Sequence, residues 1–196
     1  MKKICAIAGI FISIIVTGFA VHAKKSAMQK DLADEVFRFH VLANSDKRED
    51  QALKMEVKEA IISYMKQELP ESDGVETTKQ WARQNLKNIE EVAADCMEKA
   101  GYRYSVKATV GKCDFPDKTY GDVTFPAGEY EALRVEIGEA KGQNWWCVLY
   151  PNLCFIDAVH AVVPEKGKNQ LKKVLEEDTY EMVTTRTRFR IAWFFF

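Results

Sequence analysis

The sequence predicts an α+β domain: a mainly antiparallel sheet packed on two long helices, with an apolar leader helix in front. Three observations carry this expectation. Apolar residues recur at helical spacing between residues 46 and 100. Apolar and polar residues alternate with period 2 through much of 102–193. One strand-like run, Val36 to Leu42, precedes both. A strand, two helices and then several strands form the order of an α+β layer, with the helices expected on one face of the sheet.

The first strand is rich in β-branched and aromatic residues. Phe37, Phe39 and Val41 share one face, Arg38 and His40 the other. Asn44-Ser45-Asp46 ends it, and Asp46 with Glu49 has the spacing of a capping box. The first helix runs to about Leu69, stopped by Pro70, with Leu53, Val57, Ala60, Ile61, Tyr64 and Met65 as its apolar stripe. A polar link, Glu71–Glu76, leads to a second helix from Thr77 to Ala100. That helix turns Trp81, Ile89, Val92, Ala93, Cys96 and Met97 inward, and Gly101 supplies the left-handed residue that closes it. Strands follow at Tyr102–Val110, Tyr130–Ile137 and Trp145–Tyr150, with a short one at Asp122–Phe125 and a last one at Arg186–Trp193. Val163–Glu177 reads as a loop with a short helix.

The chain has 196 residues, 28 basic and 29 acidic, net charge −1, which suits one domain and argues against a nucleic-acid binder. A mean hydropathy of −0.27 excludes a polytopic membrane protein. The N-terminus differs from the rest. Met1-Lys2-Lys3 precedes the uncharged run Ile4–Val21, and His22-Ala23-Lys24-Lys25 follows. That is the pattern of an export signal, with a small-x-small cleavage site after Ala23 and another at Gly18-Phe19-Ala20. The same run can also serve as an uncleaved anchor. Residues 1–23 are therefore read as signal peptide or membrane anchor, 24–34 as a polar helical tether, and 35–196 as one globular α+β domain.

Export permits disulfides. Cys5 lies in the leader. Of the other four, Cys147 and Cys154 flank the turn residues Pro151-Asn152 and make the favoured pair, with two buried free thiols as the alternative. Cys96 lies on a helix stripe and reads as a core residue.

A search for catalytic chemistry returns little. His40, Ser45 and Asp46 lie close in sequence but without the G-x-S-x-G elbow of a serine hydrolase. Cys147, Cys154 and His160 lack zinc-site spacing, and there is no C-x-x-C, P-loop or G-x-G-x-x-G. No metal, cofactor or catalytic residue is assigned. The block Asn144-Trp145-Trp146-Cys147 stands out instead. Adjacent tryptophans on a strand point to opposite faces, so one can serve the core while the other meets a partner.

Several long runs carry a family resemblance: Arg38-Phe39-His40-Val41-Leu42-Ala43-Asn44-Ser45-Asp46, then Asp50-Gln51 with Leu53-Lys54; Phe115-Pro116 with Tyr120-Gly121; Pro126-Ala127-Gly128-Glu129-Tyr130 with Ala132-Leu133-Arg134-Val135; and Asn144 to Phe155. Together they resemble the stage II sporulation protein R family, over about Phe37 to Phe155. The chain departs from that pattern at Tyr150 and Asn152, where Phe and a second Pro are expected, and at Cys113.

The resemblance implies a non-enzymatic signal of endospore formation. It would be secreted from the forespore into the space between forespore and mother-cell membranes, and touch the membrane only through its leader. There it would activate a membrane-embedded aspartic protease, stage II sporulation protein GA, which processes the sigma-E precursor. Contact is expected through Trp145, Trp146 and Asn144, and secondarily through Phe39, His40 and Asn44. The competing classes are an exported hydrolase of that space and an anchored structural protein.

Overall fold

Helix α1 (Lys2–Glu35) leads straight into strand β1 (Phe37–Leu42), and α2 (Arg48–Glu68), α3 (Val75–Gln84) and α4 (Leu86–Lys99) follow. Then come β2 (Val106–Phe115), the short strands β3 (Lys118–Tyr120) and β4 (Val123–Phe125), β5 (Gly128–Ile137) and β6 (Asn144–Tyr150), and finally α5 (Glu165–Val174) and α6 (Glu177–Thr185). This computed structural model describes residues 2–69, 74–154, 163 and 165–185, and of these, side chains other than those of 2–12, 14 and 166. Pro70, His160 and the strand expected at Arg186–Trp193 lie outside the described residues.

The main sheet has the order β2-β5-β1-β6. It is antiparallel at β2–β5 and β1–β6, as expected, but β1 runs parallel to β5. Three helices, strand β2 and the β3–β4 hairpin separate β1 from β5 in sequence, and a long crossover of that kind lets two strands run the same way. β1 is thereby central, and all six of its residues are buried. Strands in that position are covered on both faces. The expectation that helices cover one face is corrected accordingly.

On the first face, α2, α3 and α4 seal a core of Phe37, Phe39, Val41, Leu53, Val57, Ile61, Met65, Ile89, Ala93, Met97, Leu133, Val135 and Ile137. The expected stripes are the residues that do this, and each fully buried aliphatic or aromatic side chain contributes roughly 1.5–3 kcal/mol. On the second face, the end of α1, the β3–β4 hairpin, α5 and α6 enclose Leu32, Val36, Phe115, Val123, Phe125, Tyr130, Leu171 and Val183. The segment 24–34 is helical, as read, and its last turns pack on the domain: Leu32 is fully buried, and Lys24 pairs with Asp178 at 2.7 Å. Farther out along α1, Ile15, Val16, Phe19 and Val21 are exposed. Among the described residues, no helix is long and apolar enough to cross a membrane.

The expected second long helix is two helices, broken at Asn85. Its backbone leaves the helical region (φ −109°, ψ 13°), and its side-chain amide donates to the Trp81 carbonyl at 2.9 Å while its Oδ1 accepts from Tyr64 and Asn88. An Asn that satisfies itself locally competes with the helix ladder. Gly101 does close α4 with positive φ: its N–H donates to Glu98 and the Tyr102 N–H to Met97, which is a Schellman closure. At the start of α2 the capping box is absent. Lys47 is the N-cap without a side-chain bond, and Asp46 instead accepts the Gln143 N–H at 2.7 Å.

Candidate partner-binding site

The run Ala43-Asn44-Ser45-Asp46 is the tight connection between β1 and α2, and it docks on the turn that joins β5 to β6. The Gly142 N–H donates to the Ala43 carbonyl and the Lys141 N–H to the Asn44 carbonyl. Asn44 Oδ1 accepts the Glu139 N–H at 2.9 Å, and Lys54 donates to the Gln143 carbonyl at 3.0 Å. Asp50 holds the centre: its carboxylate accepts from Ser45 Oγ at 2.5 Å, Asn44 Nδ2 at 2.9 Å and Tyr104 at 3.0 Å. Those donors, Ser45 first, hold the Asp50 carboxyl below the usual carboxylate range. Two glycines make the docking possible. Gly138 sits at φ +58° with Asn44 Oδ1 where a Cβ would be, and a Cβ on Gly142 would collide with the Ser45 carbonyl.

This arrangement is structural. Ser45 Oγ donates to a carboxylate, not to a histidine, so nothing there generates a nucleophile. His40 faces the other side of the sheet, so Ser45, His40 and Asp46 are not brought together as a triad. Asn44, expected at the partner surface, is spent on the two bonds just described.

Among the described residues, β6 is the last strand of the sheet order. Its two tryptophans do point to opposite faces. Trp145 packs edge-on against Phe39 (5.6 Å) and carries Lys58 Nζ 4.9 Å from its ring, on the helix-covered face. Phe39 is itself fully buried, and any effect it has on the surface runs through Trp145. Trp146 stacks flat on His40 (4.8 Å, 14°) and meets Phe115 edge-on (4.7 Å), on the second face. Both tryptophans stay half-buried, and so does Asn144, whose Oδ1 is buried without a hydrogen bond. The strand ends at a turn pinned by a disulfide between Cys147 and Cys154, Cα atoms 5.6 Å apart, with Leu153 and Cys154 N–H groups donating to the Val148 carbonyl. Of the free thiols, Cys96 packs against the first core and Cys113 against the second, on opposite sides of the sheet. Among the described residues, no group of three potential metal ligands is present.

Sequence reasoning missed the burial of two side chains beneath this strand: Arg38, to which it gave no role, and His40, which it expected among the secondary partner contacts. Arg38 is fully buried, although its strand face was open to assignment. Its Nε donates to the Cys147 carbonyl at 3.1 Å and its Nη2 to the Tyr120 hydroxyl at 3.3 Å. Its guanidinium lies 4.3 Å from the Phe115 ring centroid, 4.9 Å from Tyr130 and 5.1 Å from Phe125, a cage of cation–π contacts. His40 is 3% exposed and neither ring nitrogen has a hydrogen bond. Burial, with Arg134 and Arg38 nearby, pushes it down to about 3, so it is neutral near pH 7. The signal available in sequence was the aromatic set Phe115, Tyr120, Phe125 and Tyr130, but only the packing of the end of β2, the β3–β4 hairpin and β5 against β1 places those rings around one arginine.

Residues 33–160 match the family Stage II sporulation protein R (spore_II_R). The chain is also 35% identical to stage II sporulation protein R of Bacillus subtilis (strain 168), over 91% of this chain and 85% of that relative. The chain belongs to the stage II sporulation protein R family. It is a sporulation protein, and the membership agrees with a role other than catalysis. The resembling runs have clear places in the fold of this family member: Arg38–Asp46 is the central strand and its docked connection, Phe115 and Tyr120 cover Arg38, and Asn144–Cys154 is strand β6 with its closed turn. No solved structure matches the chain.

Proposed function

We propose that this protein is an exported signal of endospore formation that acts by contact on a membrane-embedded aspartic protease, stage II sporulation protein GA, so that the protease processes the sigma-E precursor. Membership of the stage II sporulation protein R family is the observation that carries this reading. The apolar run Ile4–Val21 supports export, and the half-buried aromatic segment of β6 at Trp145, Trp146 and Asn144 supports contact with a protein. Activation requires only that the signal bind the active arrangement of the protease more tightly than the inactive one.

Co-expression of the full chain with the protease and its precursor substrate in a non-sporulating host tests this. Precursor processing is expected only when all three are present, and is expected to fall when Met1–Ala23 is deleted and the chain stays in the cytosol. Undiminished processing without the leader would remove export from the scheme, and no processing with the full chain would remove the protease as the target.

A further inference from the structure

Four cysteines lie beyond the leader, and the fold treats two of them differently from the other two. Cys147 follows Trp146 on β6 and is 3% exposed, with its carbonyl taken by Arg38 Nε. Cys154 closes the turn and is only half-buried. The two are bonded, seven positions apart. Between them Val148 and Leu153 enter the second core, while Leu149 and Tyr150 enter the first. The bond therefore ties down a segment that spans both cores and directly follows the two tryptophans. Backbone bonds from Leu153 and Cys154 to the Val148 carbonyl hold the same turn, so a reduced pair stays within reach of itself.

Cys96 and Cys113 have no such arrangement. They are free, and they pack on opposite sides of the sheet. Burial, first of all, pushes both thiols up, which keeps them protonated and poor nucleophiles near pH 7. The bonded pair is also asymmetric. Thiol–disulfide exchange depends on access to the sulfur that attacks or is attacked. Of the two partners, Cys154 is the one that an outside reagent can approach, and Cys147 is nearly closed to solvent.

We propose that Cys154 and Cys147 are a thiol–disulfide exchange site, closed after export by an extracytoplasmic protein that donates a disulfide, with Cys154 as the entry thiol and Cys147 as the resolving one. The Cys154 thiolate attacks the donor disulfide, forms a mixed S–S bond and releases one donor thiolate. The Cys147 thiolate then attacks Cys154 Sγ, the mixed bond breaks, and the second donor thiolate leaves. Two electrons pass to the donor, which becomes a dithiol by taking up the two protons lost here. In a reducing cytosol the pair stays as thiols. Closing the bond removes freedom from the segment beside Trp145 and Trp146 and pre-organises the strand that carries them. The proposal rests on the reading of this protein as an exported contact signal and adds the chemical step that completes it outside.

Mapping of alkylated cysteines by mass spectrometry, in the non-sporulating host, tests the coupling to export. In the full chain Cys147 and Cys154 are expected to be bonded and Cys96 and Cys113 alkylated. In a chain that starts at Lys24 and stays in the cytosol, all four are expected to be alkylated. Equal bonding in both overturns the coupling. The order of attack is read on the purified, reduced full chain with glutathione disulfide as the donor. Cys147→Ser is expected to hold glutathione at Cys154, and Cys154→Ser to leave Cys147 unmodified. In the unsubstituted reduced chain, a limiting alkylating agent is expected to label Cys154 at least about tenfold faster than Cys147. Comparable labelling overturns the order, whether or not the serine variants fold. In the co-expression assay the double variant Cys147→Ser/Cys154→Ser is expected to lower precursor processing about tenfold. If the full chain triggers processing and the double variant does so equally, the bond is not needed for contact and the signalling reading stands without it. If the bond forms only after export and the full chain triggers nothing, the signalling reading fails and the exchange site stands.

Discussion

At the scale of single residues, Arg38 and His40 show how a strand residue acquires meaning from its neighbours. Both alternate with core residues along β1, and in an exposed strand they would face water. Here both are buried, Arg38 against four aromatic rings and the Cys147 carbonyl, His40 between Trp146 and Phe115. His40 has a measurable consequence. Its folded-state value is about 3 against an ordinary 6.5, so the unfolded chain binds the proton that the folded chain refuses. The stability it permits is fully present above about pH 6.5 and is lost as pH falls towards 3. Between pH 6 and 4 the loss is about 1.4 kcal/mol per unit. Asp50 also loses its favourable contribution in acid, but only as pH falls below the ordinary carboxylate value. Denaturant unfolding of the wild type and His40→Phe from pH 7 to 4.5 is expected to show this slope in the wild type and a flatter one in the variant. Equal slopes would mean that His40 titrates normally.

At the scale of elements, the connection from β1 to α2 shows the same dependence on tertiary context. Asn44-Ser45-Asp46 reads as a strand stop, and it is one. Ser45 and Asn44 bond to nearby Asp50, but Asn44 and Asp46 also bind partners about a hundred positions away, in the turn from β5 to β6. The capping box failed for this reason: Gln143 offers Asp46 an unpaired backbone N–H, and Lys47 takes the cap position instead. Gly142→Ala places a methyl group against the Ser45 carbonyl and the Ala43 side chain. We expect it to destabilise the domain by about 1–3 kcal/mol, read as a shift in the denaturant midpoint with unchanged slope. Gly111→Ala, where the space is open, serves as the control and is expected to change little. The break at Asn85 belongs to the same scale. A periodic stripe runs through it, and the stripe alone could not reveal an amide that satisfies itself.

At the scale of the whole molecule, two cores back a single sheet, and α1 belongs to the second. Leu32 and Val36 are fully buried there. A chain that starts at Lys24 keeps both residues, and its melting temperature is expected to match that of the full chain within a few degrees. A chain that starts at Phe37 loses both and is expected to lose about 3–6 kcal/mol of stability. If that shorter chain unfolds at the same denaturant concentration, the docking of α1 contributes nothing.

The sequence by itself determined much of the local pattern: the places of β1, α2, β2, β5 and β6, which stripe of α2 and α4 is apolar, the closure of α4 at Gly101, the opposite facing of Trp145 and Trp146, and the family; it favoured the pairing of Cys147 with Cys154, and it did not reveal β3, α6 or the break at Asn85. What it determined follows from neighbours a few positions apart or from long matching runs. Only the tertiary structure decided that β1 lies parallel to β5 at the centre of the sheet, and that central place buries Arg38 and His40 and calls for a second covering layer. The same structure aligned Thr109, Arg134, His40 and Trp146 in one row. Strand order and register depend on contacts between residues far apart in the chain, and no local pattern encodes which strand lies beside which.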